Sequence, residues 1–194
     1  MNDFLWHVKS KIYHSIRNSF PFNLILNREN KRLESLLALI YLKGKIVLDL
    51  GTGTGNALQF LDEAKVVFAI DSNFSMLQAT RRMHPDAILI QADALSLPIK
   101  AKSIQVITAI GLCEYMSEIE SLLKGICQSL KENGFLILTF SPKGIFTRLR
   151  LLLGHAIKPA TLSDIEKIAR KEHFQKVKSS RCLMQAQVLF IRIK

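Results

Sequence analysis

Val47-Leu48-Asp49-Leu50-Gly51-Thr52-Gly53-Thr54-Gly55 decides the reading of this chain, because an apolar run enters a turn with glycine at every second position. Lys45 to Leu50 has the Val/Ile/Leu character of a strand buried on both faces, and Ala57, Leu58, Phe60 and Leu61 follow at helical spacing. The expected order is strand, glycine turn, helix. Glycines at 51, 53 and 55 permit positive φ and let a ligand approach bare backbone, where amide N–H groups at a helix start can bind its polar parts. Taken alone, the loop also fits an ordinary glycine-containing turn. A dinucleotide fingerprint requires Gly-x-Gly-x-x-Gly, but the third glycine would fall on Asn56 or, one step later, on Leu58. A phosphate-binding Gly-Lys-Ser/Thr is missing as well, so dinucleotides and nucleoside triphosphates are disfavoured.

Outward from the loop, a second apolar strand, Val66 to Ile70, ends in Asp71 and is followed by Ser72-Asn73-Phe74-Ser75-Met76-Leu77. A carboxylate can accept from both hydroxyls of a ribose, so an acid here suits a nucleoside; the other reading is a helix N-cap, a role open equally to Ser72 or Asn73. A third strand, Ala87 to Gln91, leads into Ala92-Asp93-Ala94 and Leu97-Pro98-Ile99, and a fourth covers Ser103 to Ile110. Asp93 is either a base-reading acceptor or a solvated turn aspartate. Ile119 to Leu130 has apolar residues on one helical side, Lys131-Glu132-Asn133-Gly134 ends it in a turn, and Phe135 to Phe140 forms a fifth strand. The final segments, Gln175 to Leu183 and Gln185 to Ile193, read as an antiparallel pair.

The passage from Lys45 to Ser141 resembles the class I S-adenosylmethionine (SAM) dependent methyltransferases, and the small-molecule enzymes like those of ubiquinone and menaquinone biosynthesis in particular. The resemblance rests on Asp49-x-Gly51-x-Gly53-x-Gly55, the acid Asp71 after the second strand, Asp93-x-x-x-Leu97-Pro98-Ile99, and the helix, turn-glycine and strand that follow. It implies a Rossmann-like, doubly wound α/β fold: a mostly parallel seven-stranded sheet with a C-terminal antiparallel hairpin. It implies SAM as cofactor, with Gly51, Thr52, Gly53 and Gly55 shaping the loop, Asp49 supporting it, and Asp71, Ser72 and Met76 serving the ribose side. By the same resemblance Asp93 accepts the adenine amino group, the Ala94 amide meets a ring nitrogen, and Ile110 ends the fourth strand beside the site. One departure is Gln105, where relatives often carry an acid.

At 194 residues with 48% hydrophobic content, the chain is expected to form a single domain: 1–44 a helical cover, 45–140 the cofactor core, 141–194 the substrate segment and hairpin. Three cysteines, Cys113, Cys127 and Cys182, form no metal-binding or disulfide pattern, which fits a cytoplasmic protein without a metal. No apolar run reaches the roughly twenty residues of a bilayer span. The net charge of +11 is uneven: residues 1–45 carry 8 Lys/Arg against 3 Asp/Glu, 46–140 carry 7 against 10, and 141–194 carry 12 against 3. Basic ends around an acidic core point to an anionic substrate, nucleic acid or an anionic membrane surface, or simply to a solvated basic surface. In Asp3 to Ser19, Leu5, Val8, Ile12 and Ile16 share a helical face opposite most of the charges, as in either a peripheral membrane helix or a cover packed on its own domain.

SAM supplies an activated methyl, so the enzyme mainly aligns donor and acceptor. For a hydroxyl or acidic-carbon acceptor a base is useful, and Glu114, then Tyr115, are the candidates after the fourth strand; each also fits a capping or packing role. Cys113 is a weaker candidate, without a histidine partner. Arg148, Arg150 and His155 are candidates for an anionic group of the acceptor, Arg28 or Arg32 for the methionine carboxylate, and His173, placed within a helix, for no special task. The function expected is methyl transfer to oxygen or carbon of a small apolar or anionic acceptor. The alternatives are an RNA methyltransferase and a non-catalytic, membrane-associated SAM-binding accessory protein.

Overall fold

A computed structural model of the protein describes residues 22–152 and 156–194. The expectations for Asp3 to Ser19 and for His155 lie outside the described residues. Seven strands form one sheet: β1 (Ile46–Leu50), β2 (Val66–Asp71), β3 (Ile88–Gln91), β4 (Ile104–Ala109), β5 (Leu130–Phe140), β6 (Phe174–Arg181) and β7 (Ala186–Arg192). Their spatial order is β3-β2-β1-β4-β5-β7-β6, parallel through the first five, with β7 antiparallel to both its neighbours. The order reverses between β1 and β4, so a crevice opens at their carboxyl ends.

The helices are α1 (Phe22–Leu37), α2 (Phe74–Met83), α3 (Ile119–Ser129), α4 (Ile145–Leu152) and α5 (Leu162–Lys171). Strand side chains alternate between two cores, as period 2 requires. Val47, Val106, Ile137 and Leu189 point to the face covered by Leu33, Leu36 and Leu37 of α1. Leu48, Leu50, Ile107, Leu136 and Leu138 point the other way, toward Leu122, Leu123 and Ile126 of α3 and Ile165 and Ala169 of α5. Burying each such side chain contributes about 1.5–3 kcal/mol, which fixes the register of every central strand.

Three local expectations are corrected. The helix after the glycine turn is only a 3-10 turn, Leu58–Phe60, although Ala57, Leu58 and Leu61 are buried as the spacing implied. Residues 56–65 must carry the chain from the carboxyl end of β1 back to Val66, which pairs with Ile46 at its amino end. That return, four strand rises or about 13 Å, is made through a run of turns with the single 3-10 turn Leu58–Phe60 in it. Residues 131–134 do not separate α3 from a strand at Phe135. β5 begins at Leu130 and takes the turn as a bulge, its pairing with β4 jumping from Ile104↔Leu130 to Val106↔Phe135 with Asn133 at φ 60. His173 is not helical either; it sits at φ 61 between α5 and β6.

Gln105 has a structural task where an acid was the family expectation: its Oε1 accepts the Ile46 amide at 2.8 Å, closing the start of β1. No helix among the described residues is long and apolar enough to cross a membrane.

Candidate active site

The loop after β1 is folded back on β2. The amides of Gly51 and Thr52 both donate to Ile70 O, at 2.8 and 3.0 Å, that of Gly53 donates to Asp71 Oδ2 at 2.8 Å, and that of Gly55 to Thr52 O at 2.9 Å. These four N–H groups are therefore spent inside the protein, and no α-helix starts here, so the expected helix-start amide cradle is replaced by a bare, rigid backbone edge. Gly51 has φ 70, and a Cβ there would lie 2.9 Å from the Leu112 side chain. At Gly55, φ 82, it would meet His84 and Thr80 at 3.0 Å, so neither glycine tolerates a side chain. Gly53 instead faces open space. Its carbonyl accepts from the buried Thr80 hydroxyl at 2.9 Å, which ties the loop to α2.

Asp49 is almost completely buried beneath the loop, its Oδ1 accepting from Thr108 Oγ1 at 2.6 Å. Burial pushes its carboxyl above the usual 3.8; Thr108, and less strongly Thr52, pull it back. Asp49 Oδ2 and Thr52 Oγ1 are both buried and lack a hydrogen-bond partner of ordinary geometry.

Asp71 ends β2 and is partly buried. Besides Gly53, its carboxylate accepts the Asn73 amide through Oδ1 at 2.9 Å. Burial raises its pKa while the amides of Asn73, Gly53 and Ser72 lower it. Asn73 is the N-cap of α2, accepting from Met76 N at 3.2 Å. Asp71 is thus free of capping duty, and each of its oxygens keeps a lone pair beyond its backbone bond. Ser72 is exposed beside it and the Met76 side chain is buried. Asp93 is exposed after β3, and its Oδ1 accepts from Leu95 N at 2.9 Å in an aspartate turn, with Ala94 inside that turn. The four elements carrying Asp49, Asp71, Asp93 and Ile110 all end at one edge of the sheet.

Beyond Ile110 the chain turns at Gly111, whose amide donates to Thr139 Oγ1 at 2.7 Å, and enters a 3-10 turn, Cys113–Tyr115. Glu114 is buried there and engaged on both oxygens: Arg150 Nη2 lies 3.0 Å from Oε1, Arg150 Nη1 lies 3.4 Å from Oε2, and the Ser141 hydroxyl donates to Oε2. Ser141 Oγ in turn accepts from Arg150 Nη1 at 2.9 Å. Cys113 is buried beside this pair, its thiol pushed far above its ordinary value by burial and then by the Glu114 charge, which favours the unreactive protonated form. Of the basic residues considered earlier, Arg150 faces Glu114 and Arg148 lies on the same helix, α4. Arg32 bonds to Ser180 Oγ at 2.7 Å, on the edge strand β6, four strand positions from β1. Thr80, Thr108, Thr139 and Ser141 were missed by the sequence reading; the only available signal was a hydroxyl at the end of an otherwise apolar strand for three of them.

The sheet order agrees with what the comparisons find. Residues 48–138 match the model of a methyltransferase domain. These matches support a SAM-dependent class I methyltransferase family. It is 27% identical over 159 residues to a malonyl-[acyl-carrier protein] O-methyltransferase of Xylella fastidiosa, covering 78% of this chain and 54% of that protein. A protein of the same description from a Marinomonas species is 31% identical over 119 residues, 58% of this chain and 44% of the relative. The chain thus spans about half the length of these curated relatives. Among solved structures, magnesium protoporphyrin IX methyltransferase from Synechocystis, with bound S-adenosylhomocysteine (SAH), superposes with a TM-score of 0.76 at 17% identity, over 90% of this chain and 88% of that one. At this identity the likeness concerns the fold.

Proposed function

We propose that the protein transfers the methyl of SAM to a carboxylate oxygen of a small anionic acceptor carrying an apolar portion. The observation that carries this reading is the state of Glu114: this buried carboxylate after β4 is already paired with Arg150 and accepts from Ser141, so taking up a substrate proton would leave Arg150 uncompensated. A hydroxyl or carbon acid needs a base there; a carboxylate is already deprotonated at neutral pH and attacks unaided. Both curated relatives are named as O-methyltransferases acting on a malonyl group, which ends in such a carboxylate. Ile145, Phe146, Leu149 and Leu152 of α4 are exposed on the same edge and suit an apolar part of the acceptor.

In this reading the open face at Gly53 and the remaining lone pairs of Asp71 fit a nucleoside-bearing cofactor, with Asp49 supporting the loop from beneath. Asp71 would hold ribose and Asp93 with Ala94 the adenine, while Gly51 and Gly55 keep the loop close. When bound, SAM supplies an electrophilic methyl. The chain aligns the acceptor, and Glu114 acts as a positioning residue that anchors α4 through Arg150, with Tyr115 beside it.

The test is transfer of labelled methyl from SAM to S-malonyl-N-acetylcysteamine, with the acetyl thioester and a quinol as controls. Formation of a base-labile ester on the malonyl compound alone is expected. Transfer only to the quinol, abolished in turnover but not in SAH binding by Glu114→Gln, would overturn the carboxylate reading and restore Glu114 as a base.

A further inference from the structure

The charge concentrated at the two ends of the chain is brought together by the fold. β6 is antiparallel to β7 and β7 to β5, so β6 runs parallel to β5; Arg181 pairs with Ala186, which pairs with Phe140, and all three lie at the edge where the cofactor loop also lies. There the amino-terminal half of α1 meets the β6–β7 turn around a cleft of about 250 Å³ lined by Ile25, Arg28, Arg32, Arg181, Cys182 and Leu183. Whole-ligand pockets are larger, roughly 300–1,000 Å³, so this one suits a single chemical group.

Three arginines line it, and none makes an ion pair among the described residues. Arg32 is steered by Ser180 Oγ at 2.7 Å, and Arg181, on the lip, reaches Lys143 O at 3.3 Å. Cys182 does not balance them, since burial and the nearby Glu29 hold its thiol above the ordinary value against the pull of Arg32. Even with the Glu29 carboxylate beside Cys182, the three guanidiniums leave the cleft net positive, and their planar donor pairs match a phosphate or carboxylate. β6 lies four strand spacings from β1, roughly 19 Å at about 4.8 Å each, too far for the same anion to be the cofactor's.

We propose that this cleft is a second anion site, holding a phosphate or carboxylate that the acceptor carries remote from the methylated atom; the identity of its carrier rests on the acceptor reading above. Full-length protein would be titrated calorimetrically with inorganic phosphate, SAH, malonyl-coenzyme A and S-malonyl-N-acetylcysteamine, each against wild type, Arg28→Gln and Arg28→Gln/Arg32→Gln, with melting curves to certify folding. Phosphate binding weakened at least tenfold in the double variant, with SAH binding unchanged, is expected. A preference for malonyl-coenzyme A over the phosphate-free thioester, lost in the double variant, would place the anion on the acceptor. Phosphate binding indifferent to the arginines, or none, overturns the site; equal binding of the two thioesters overturns the acceptor as its carrier. Loss of SAH binding in the variants assigns the arginines to the cofactor and also overturns it. Failure of SAH to bind wild type would strike the methyltransferase reading itself and is read independently of phosphate.

Discussion

The two halves of the carboxyl edge treat buried acids in opposite ways. On the β1–β3 side, Asp49 and Asp71 are held by hydroxyls and backbone amides and make no ion pair among the described residues. On the β4–β5 side, Glu114 is locked to Arg150 and Ser141. An acid balanced by a cation has its partner already, which fits a role in the fold; one buried without a cation is what the proposed cofactor site would use. The largest effect that can break this contrast is therefore on stability, in the paired half. Arg150→Ala leaves Glu114 buried and uncompensated, with an expected loss of about 3 kcal/mol by urea denaturation. Arg150→Met with Glu114→Gln should recover much of it. If Arg150→Ala is neutral, the lock is not structural and α4 is held by other contacts, such as the Thr147 hydroxyl on Pro142 O.

In the unpaired half the large effect should fall on binding. Asp71→Ala removes the carboxylate that fixes both Gly53 and Asn73, and SAH affinity should fall by about a hundredfold or more, equivalent to about 2.7 kcal/mol. Titration of the variant, with melting to show it still folds, separates this from the Arg150 case. A folded Asp71→Ala protein with undiminished SAH affinity would remove the ribose assignment.

Asp49 sharpens the comparison through pH. Its carboxyl is raised by burial above the ordinary 3.8. Between 3.8 and the raised folded value, the native state keeps the proton that the unfolded chain has released, so stability falls as pH climbs through that window and stays at the lower level above it. Asp49→Asn should abolish this fall and be more stable than wild type at pH 7 by about 1 kcal/mol, the advantage vanishing at the acid end. Its amide can also donate to the orphaned Thr52 hydroxyl. SAH affinity should drop, since stability was given up for the site. Melting temperatures across pH 4 to 8 check this, and a parallel shift at every pH would sink the linkage argument.

What could be read from the chain follows from how local each signal is. The strands, the glycine loop and the terminal hairpin were legible because apolar runs and turn residues act over a few neighbours, and sheet order then follows from crossover rules and family resemblance. The missing helix after Gly55 was not legible: Ala57, Leu58 and Leu61 carry helical spacing, but the span back to Val66 is a tertiary constraint that no periodicity records. The Glu114–Ser141–Arg150 lock joins residues on three segments, and the Arg28–Arg32–Arg181 cleft joins the two ends of the chain; the sequence offered Glu114 as a base, Arg150 for an acceptor anion and Arg28 or Arg32 for the methionine carboxylate, but no local signal records which of these side chains meet.

The smallest predicted effect concerns Asp93, where the two halves of the contrast meet in one residue. It is exposed and already spends Oδ1 on the Leu95 amide, so as a structural group it is a turn aspartate. If Oδ2 also accepts from the adenine amino group, Asp93→Asn preserves the turn through its carbonyl oxygen and turns its NH2 toward the ligand, setting donor against donor. SAH affinity should then fall about fivefold while melting is unchanged, since the turn bond survives. Replacing the ligand's adenine by hypoxanthine, which offers a carbonyl in place of the amine, should reverse the preference in the variant. Equal affinities of Asp93→Asn and wild type for both ligands would leave the residue with its turn alone and place adenine recognition elsewhere on the β3 side.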